Sequence, residues 1–396
     1  MEGAIDRLCA RDERAGEDAR TAVESLIGWE EDNPEALFSR RRLQVFLWYE
    51  LPTKWMIPVA ERLGVAQALA LFFDELGPRA GGLAGVCRGR ETERLIRGRA
   101  EGFIDAMEES GLEPPDTPVL EWSGYMSLEE ALERDAVGDM LEEEIDAGRL
   151  MPGAKGWKEV QIEAVEGHLM TPEAGATSPL ARIHAGRREA WLFGIEDRDE
   201  RALLEAAVPL GGEPPSVAEA EAAIEPLLWV LDQLAGGLML TQTGAFPRAL
   251  VRAAVERYPA WWPIRLDALP NREMDVRVLE ELHWIISGLK LARPRRGVLD
   301  LTPRGRALRA DPPELLAEVA LGIALVGASR ELDLDLAQLV VDADPTIALA
   351  AWHLLVPFGG ATGSPWEGTT QLTPAGRTLA RAILHARAHG PRHTFD

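Results

Sequence analysis

The sequence predicts a mainly α-helical fold: an N-terminal helical bundle, followed by tandem units in which helices frame a small β-hairpin. Three observations carry this expectation. At 396 residues the chain exceeds the size at which one hydrophobic core usually keeps growing, so it should divide into domains. Apolar residues recur at helical spacing through most of its length, with Pro and Gly clusters between them. The C-terminal half repeats one short signature three times.

Taken in order, residues 4–30 read as one helix around Ile5, Leu8, Ala22, Val23, Leu26 and Ile27. Asn33-Pro34 then supplies an N-cap and a first-turn proline for an apolar helix over 35–50, which Leu51-Pro52 should end. A third helix covers Val59 to Leu76. Gly111 to Pro118 is a connector. Ser127, followed by Glu130, fits a capping box for a helix from Leu128 to Ala147 that Gly148 ends. Helices over 157–169 and 179–193 follow, and Pro209 to Pro215 breaks the chain. From Ser216 a helix carries Ala220, Ile224, Leu227, Leu228, Leu231 and Leu234 to the stop at Gly236-Gly237. The expected domains are 1–112 (acidic, helical), 119–208 (helical), 216–311 and 312–390 (two hairpin-bearing units).

The repeated signature is Leu-Thr-x-x-Gly, at Leu240 to Gly244, Leu301 to Gly305 and Leu372 to Gly376. A strand should end at Leu, Thr should cap the next helix, and the glycine should let the helix start approach a neighbouring backbone. Leu289 to Leu301 reads as strand, Arg-Pro-Arg-Arg-Gly turn and strand, and Val356 to Leu372 as a longer, glycine-rich version. Helix, hairpin and helix together form the tail of a winged-helix unit. Residues 274–310, from Met274-Asp275-Val276-Arg277 to Leu301-Thr302-Pro303-Arg304-Gly305, resemble the second half of bacterial winged helix-turn-helix domains. Residues 238–320 resemble an uncharacterised module found in some plasmid open-reading-frame-three-like proteins, although the domain that gives that family its name is not apparent here. The resemblance implies a fold more than an activity.

Composition bounds the function. With 46% hydrophobic and 27% charged residues the chain is globular. It has no run of about 18 apolar residues, and its acidic start (Glu2, Asp6, Asp12, Glu13) is unlike a targeting peptide, so a cytoplasmic protein without membrane contact is expected. Two cysteines, Cys9 and Cys87, are too few for a disulfide framework. The excess of Arg over Lys points to a GC-rich bacterial genome. The seven histidines show no ligand spacing, and there is no phosphate-binding loop, nucleophile elbow or dinucleotide fingerprint. No catalytic residue, metal or cofactor is therefore expected, and an enzyme of unrecognised type is the least favoured class. Asp333, Asp335, Asp342 and Asp344 lack the pattern of a calcium loop and read as a charged loop and helix cap.

The net charge of −23 is unevenly placed: residues 1–235 carry 48 acidic and 24 basic side chains, whereas 240–311 carry 13 basic and 8 acidic ones. Such asymmetry marks an interaction surface. In a DNA-binding reading, Met274 to Ser287 is the reader helix and Arg293, Arg295 and Arg296 the wing, with Arg304, Arg306 and Arg309 reaching phosphates. Asp275, Glu280 and Glu281 oppose this, and Arg272 and Arg277 partly offset them. The competing reading is a protein-interaction or dimerisation module, whose acidic N-terminal half suits a basic protein partner. Trp261 and Trp262 are interface candidates, because two adjacent rings before Pro263 cannot both enter one core; Trp284 and the other helical tryptophans read as core.

Overall fold

The computed structural model describes residues 2–27, 38–80, 82–172, 177–209, 214–262, 269–326, 329–342, 345–363 and 368–391. They form two compact units, residues 1–182 and 183–396. Both are mainly helical, and the second carries a three-stranded and a two-stranded antiparallel sheet. No helix among the described residues is long and apolar enough to cross a membrane.

The first unit contains α1 (Glu2–Arg11), α2 (Glu13–Ile27), α3 (Arg40–Val45), α4 (Leu51–Lys54), α5 (Val59–Leu76), α6 (Leu83–Cys87), α7 (Arg90–Arg97), α8 (Phe103–Ser110), α9 (Leu128–Asp146) and α10 (Trp157–Met170). Its core is built on Leu8, Leu26, Phe46, Leu69, Phe72 and Phe73, all buried. The helix expected over 4–30 is two helices, because the Asp12 carboxylate accepts the Ala15 N–H at 3.0 Å and restarts the chain. The stop expected at Leu51-Pro52 also fails. A π-helical turn, Phe46–Glu50, runs straight into α4 with right-handed helical backbone at Glu50 and Leu51, and its wider bonding, Leu51 N–H to Phe46 O, keeps the chain helical through Pro52. Asn33-Pro34 lies outside the described residues. Ser127 caps α9 by accepting the Glu130 N–H at 3.1 Å, but the Glu130 carboxylate, buried, takes the Ser123 N–H at 2.8 Å instead of closing the box.

The second unit begins within α11 (Pro179–Leu192) and continues through α12 (Arg198–Ala207), α13 (Val217–Ala223) and α14 (Glu225–Leu234). The helix expected from Ser216 to Leu234 is broken at Ile224, since the Pro226 ring would strike the carbonyl four residues back. Next come β1 (Leu238–Met239), α15 (Arg248–Arg257), α16 (Arg277–Gly288), β2 (Ala292–Arg295), β3 (Val298–Leu301), α17 (Pro303–Arg309) and α18 (Pro312–Val326). The chain closes with α19 (Arg330–Val341), α20 (Leu349–Leu355), β4 (Ala361–Thr362), β5 (Gln371–Leu372) and α21 (Pro374–His389). One continuous apolar core runs from Trp191 to Ala388, so both hairpins rest on it.

Two copies of the signature are built alike, atom for atom. The Thr302 hydroxyl accepts the Gly305 N–H at 2.9 Å, and the Thr302 N–H donates to Leu291 O at 2.9 Å. Thr373 repeats both bonds, to the Gly376 N–H and to Gly360 O, at 3.0 Å each. The glycine is required by contact: a Cβ on Gly305 would lie 1.9 Å from Leu291 O, and one on Gly376 1.9 Å from Gly360 O. The signature thus locks a helix start against the backbone just before the hairpin. The first copy differs. Thr241 donates to and accepts from Ala245 in a tight turn, no Cβ contact constrains Gly244, and α15 starts only after Pro247.

A buried polar network ties the helices together. Asp333 lies within α19, 3% exposed, and not in the charged loop expected from sequence; Ser329 is the cap. Its carboxylate accepts Trp191 Nε1 at 3.0 Å and Arg387 Nε at 3.2 Å, while Arg387 also donates to Ala324 O at 2.9 Å. Asp342 follows α19 and accepts Gln338 Nε2 at 3.0 Å; Asp344 lies outside the described residues.

Gly305→Ala should lower stability by at least about 2 kcal/mol in urea unfolding, since backbone must move to admit the methyl. Gly288→Ala in α16, with open space at its Cβ, should leave stability unchanged or raise it by up to about 1 kcal/mol. Asp333→Ala should cost about 3 kcal/mol, because it strands a largely buried guanidinium and the Trp191 indole N–H; a loss under about 1 kcal/mol would show the network to be incidental.

Candidate nucleic-acid interface

The three-stranded sheet has the order β1-β3-β2, with β1 paired to β3 at Leu238↔Leu299 and Met239↔Val298. The β2–β3 hairpin pairs Ala292↔Leu301, Arg293↔Asp300, Pro294↔Leu299 and Arg295↔Val298. The turn is shorter than the five residues expected from sequence. Arg296 and Gly297 alone make it, at φ +54° and +80°, the two-residue reversal that suits the twist of a hairpin. Pro294 is tolerated because β2 is an edge strand.

This register sorts the hairpin by face. Ala292, Leu299 and Leu301 are buried, while Arg293, Arg295, Arg296 and Asp300 are exposed. Arg293 and Arg295, two apart on β2, share one side. With Val298, Asp300, Leu301, Pro303 and Arg306 they line a shallow groove of about 260 Å³. Among the described residues, Arg293, Arg295 and Arg296 make no ion pair.

The other five arginines singled out from the sequence are engaged. Arg272 pairs with Asp275 at 3.0 Å, Arg277 with Glu281 at 2.7 Å and Arg304 with Glu318 at 2.6 Å, and Arg309 pairs with Asp232. Arg306 donates to Leu301 O at 2.6 Å, which fixes its guanidinium at the groove wall. The arginines across the candidate reader helix are therefore held by its own acids.

Helix α16 buries Val278, Leu279, Leu282 and Ile286 and exposes Arg277, Glu280 and Trp284. Trp284 is 61% exposed and Met274, just before the helix, 65%. This corrects the expectation of a core Trp284, because its position falls one step off the buried stripe. Trp261 is 5% exposed and stacks on Tyr258 at 4.3 Å, and Trp262 packs half-buried against the same core. Two adjacent rings do meet one core here, because a 3-10 turn, Pro259–Trp261, bends the chain between helix and loop.

Sequence reading missed Glu273. Its carboxylate, buried, accepts the Phe246 N–H and holds His283 Nδ1 at 2.7 Å, with the His283 ring stacked on Phe246 at 4.3 Å. It thereby fastens the segment before α15 to α16. The only signal was an acid four residues ahead of a helix, which is indistinguishable from a surface charge. Cys87 is buried, and burial pushes its thiol up to about 12, which removes it as a nucleophile at neutral pH. Among the described residues no three His, Cys, Asp or Glu side chains are arranged to hold a metal ion.

Residues 223–314 match the family model of the Y4jL N-terminal domain. The match runs from the start of α14 to the first turn of α18, and so contains the whole three-stranded sheet and its helices. No curated protein and no solved structure matches the chain.

Glu273→Ala should destabilise the second unit by about 2 kcal/mol, the cost of leaving a buried N–H and an imidazole without their acceptor. It should also broaden the amide signals of residues 241–247 in NMR spectra; unchanged signals would remove its positioning role.

Proposed function

We propose that residues 223–314 form a winged-helix unit that contacts the phosphate backbone of nucleic acid through its wing. The element order α14-β1-α15-α16-β2-β3 and the sheet order β1-β3-β2 support the winged-helix reading. The observation that carries the ligand is the exposed, unpaired set Arg293, Arg295 and Arg296 beside a groove walled by Arg306, in a protein of net charge −23. Arginine without an internal acid is free to exchange counterions for phosphate oxygens, a contact that supplies affinity and salt dependence without reading sequence. Helix α16 offers little for base readout: Arg277 is bound to Glu281, and Glu280 stands exposed beside it. The expected activity is binding with weak sequence preference.

The exposed Trp284 and Met274 favour a second reading, in which α16 binds a protein partner or a second copy. The two readings separate by mutation. Replacing Arg293, Arg295 and Arg296 together by Ala should weaken binding of a labelled random duplex at least about tenfold at low salt. It should also reduce the slope of log K against log salt by up to about 0.9 per lost phosphate contact. Unchanged affinity and slope would overturn the wing reading, whereas a Trp284→Ala variant that alone loses concentration-dependent association would move the function to α16.

A further inference from the structure

The seam between α11 and α21 holds three imidazoles. The His184 ring lies 5.1 Å from His389 and 6.4 Å from His385, centroid to centroid, and His385 lies 4.4 Å from His389. His389 is 5% exposed, and neither of its ring nitrogens has a hydrogen-bond partner. His184 is half-buried and His385 sits at the exposed rim, so protons reach the cluster from that side. Arg187, itself buried, donates to His389 O at 2.8 Å and holds the end of α21 against α11.

Among the described residues, the ionisable groups that act most strongly on His389 are basic. They are His184, Arg187 and Arg188 on α11 and His385 on its own helix. The other helices packed on α21 do not offset them. α18 brings Leu321 beside Gly390, and the α19 carboxylate of Asp333 is already taken by Arg387 and Trp191. α13 meets the opposite end of α21, where Glu219 and Arg381 line a separate groove.

We infer that this imidazole cluster is a proton-operated latch: α21 seats against α11 while the rings are neutral and is released when they become charged on mild acidification. Neutral rings pack as aromatic side chains. A first proton adds a cation where two guanidinium groups already stand, and a second adds like charge 4–6 Å from the first, where repulsion is strong and water is scarce. Burial and the surrounding cations push His389 down to about 3. The folded seam therefore binds fewer protons than the unfolded chain, whose histidines titrate near about 6.5. Stability is complete above that value and is lost as pH falls below it.

Hydrogen exchange on the full chain tests the latch, with rates corrected for the intrinsic effect of pH. Between pH 7.5 and 5.5, protection of peptides from 183–192 and 374–391 should fall about tenfold or more, the effect of one unit of pKa difference, while peptides of α5 keep theirs. His389→Phe, which preserves a ring in the seam, should hold protection at both pH values. Equal protection of the wild type at the two pH values, or the same acid loss in His389→Phe, would overturn the inference. Should His389→Phe fail to fold, His385→Gln at the rim removes one of the three charges and should move the midpoint of the loss to lower pH; an unmoved midpoint overturns it equally.

Discussion

The carboxylate of Asp333 joins four helices of the second unit at one point. It receives Trp191 from α11 and Arg387 from α21, it stands on α19, and Arg387 reaches on to a carbonyl of α18. A buried ion pair of this kind adds little net stability against an apolar replacement, but breaking it is expensive. Its effect is to fix which helix faces meet, because an apolar seam tolerates sliding and a bidentate acid does not. The tie stands where the ends of the apolar core come together, since Trp191 is the first residue of that core and Arg387 precedes its last, Ala388.

The two hairpins show one device put to different uses. In both, Thr caps a helix, and a glycine without a side chain lets that helix start against the carbonyl of the residue that opens the hairpin. The lock is indifferent to what the hairpin carries. The first displays Arg293, Arg295 and Arg296 on a two-residue turn, while the second pairs only Ala361↔Leu372 and Thr362↔Gln371. Basic charge is confined to the copy whose geometry is tightest, where three guanidinium groups share one short ribbon.

Most of the cations around the candidate reader helix are paired within their own unit. Arg272, Arg277, Arg304 and Arg309 all sit within reach of an acid from the same unit, and exposed pairs of this sort contribute little to stability. Their consequence lies in the surface they leave. Pairing engages Arg277 of α16 and Arg304 and Arg309 of α17, and leaves Arg293, Arg295 and Arg296 of the hairpin outside any ion pair among the described residues.

The sequence by itself determined what depends on neighbours along the chain. Helical periodicity located the apolar faces, Ser127, Thr302 and Thr373 announced caps, and the Leu-Thr-x-x-Gly pattern placed the two hairpins, because capping and turn geometry act over three or four residues. The break at Asp12 and the split at Ile224 are local as well, set by a cap bond over three residues and by the Pro226 ring, whereas the π-helical turn that carries a helix through Pro52 is not displayed by the local pattern. The eight arginines were legible as a basic segment, but which of them remain unpaired was not: an arginine looks the same in sequence whether its acid is three residues away or, like Asp232 for Arg309, 77 residues away. Only the tertiary structure exposed Trp284 while burying Trp261, turned Asp333 from a surface charge into a tie between helices, and brought His184 beside His385 and His389. Those outcomes are set by which faces pack together, and packing joins residues that share no local pattern.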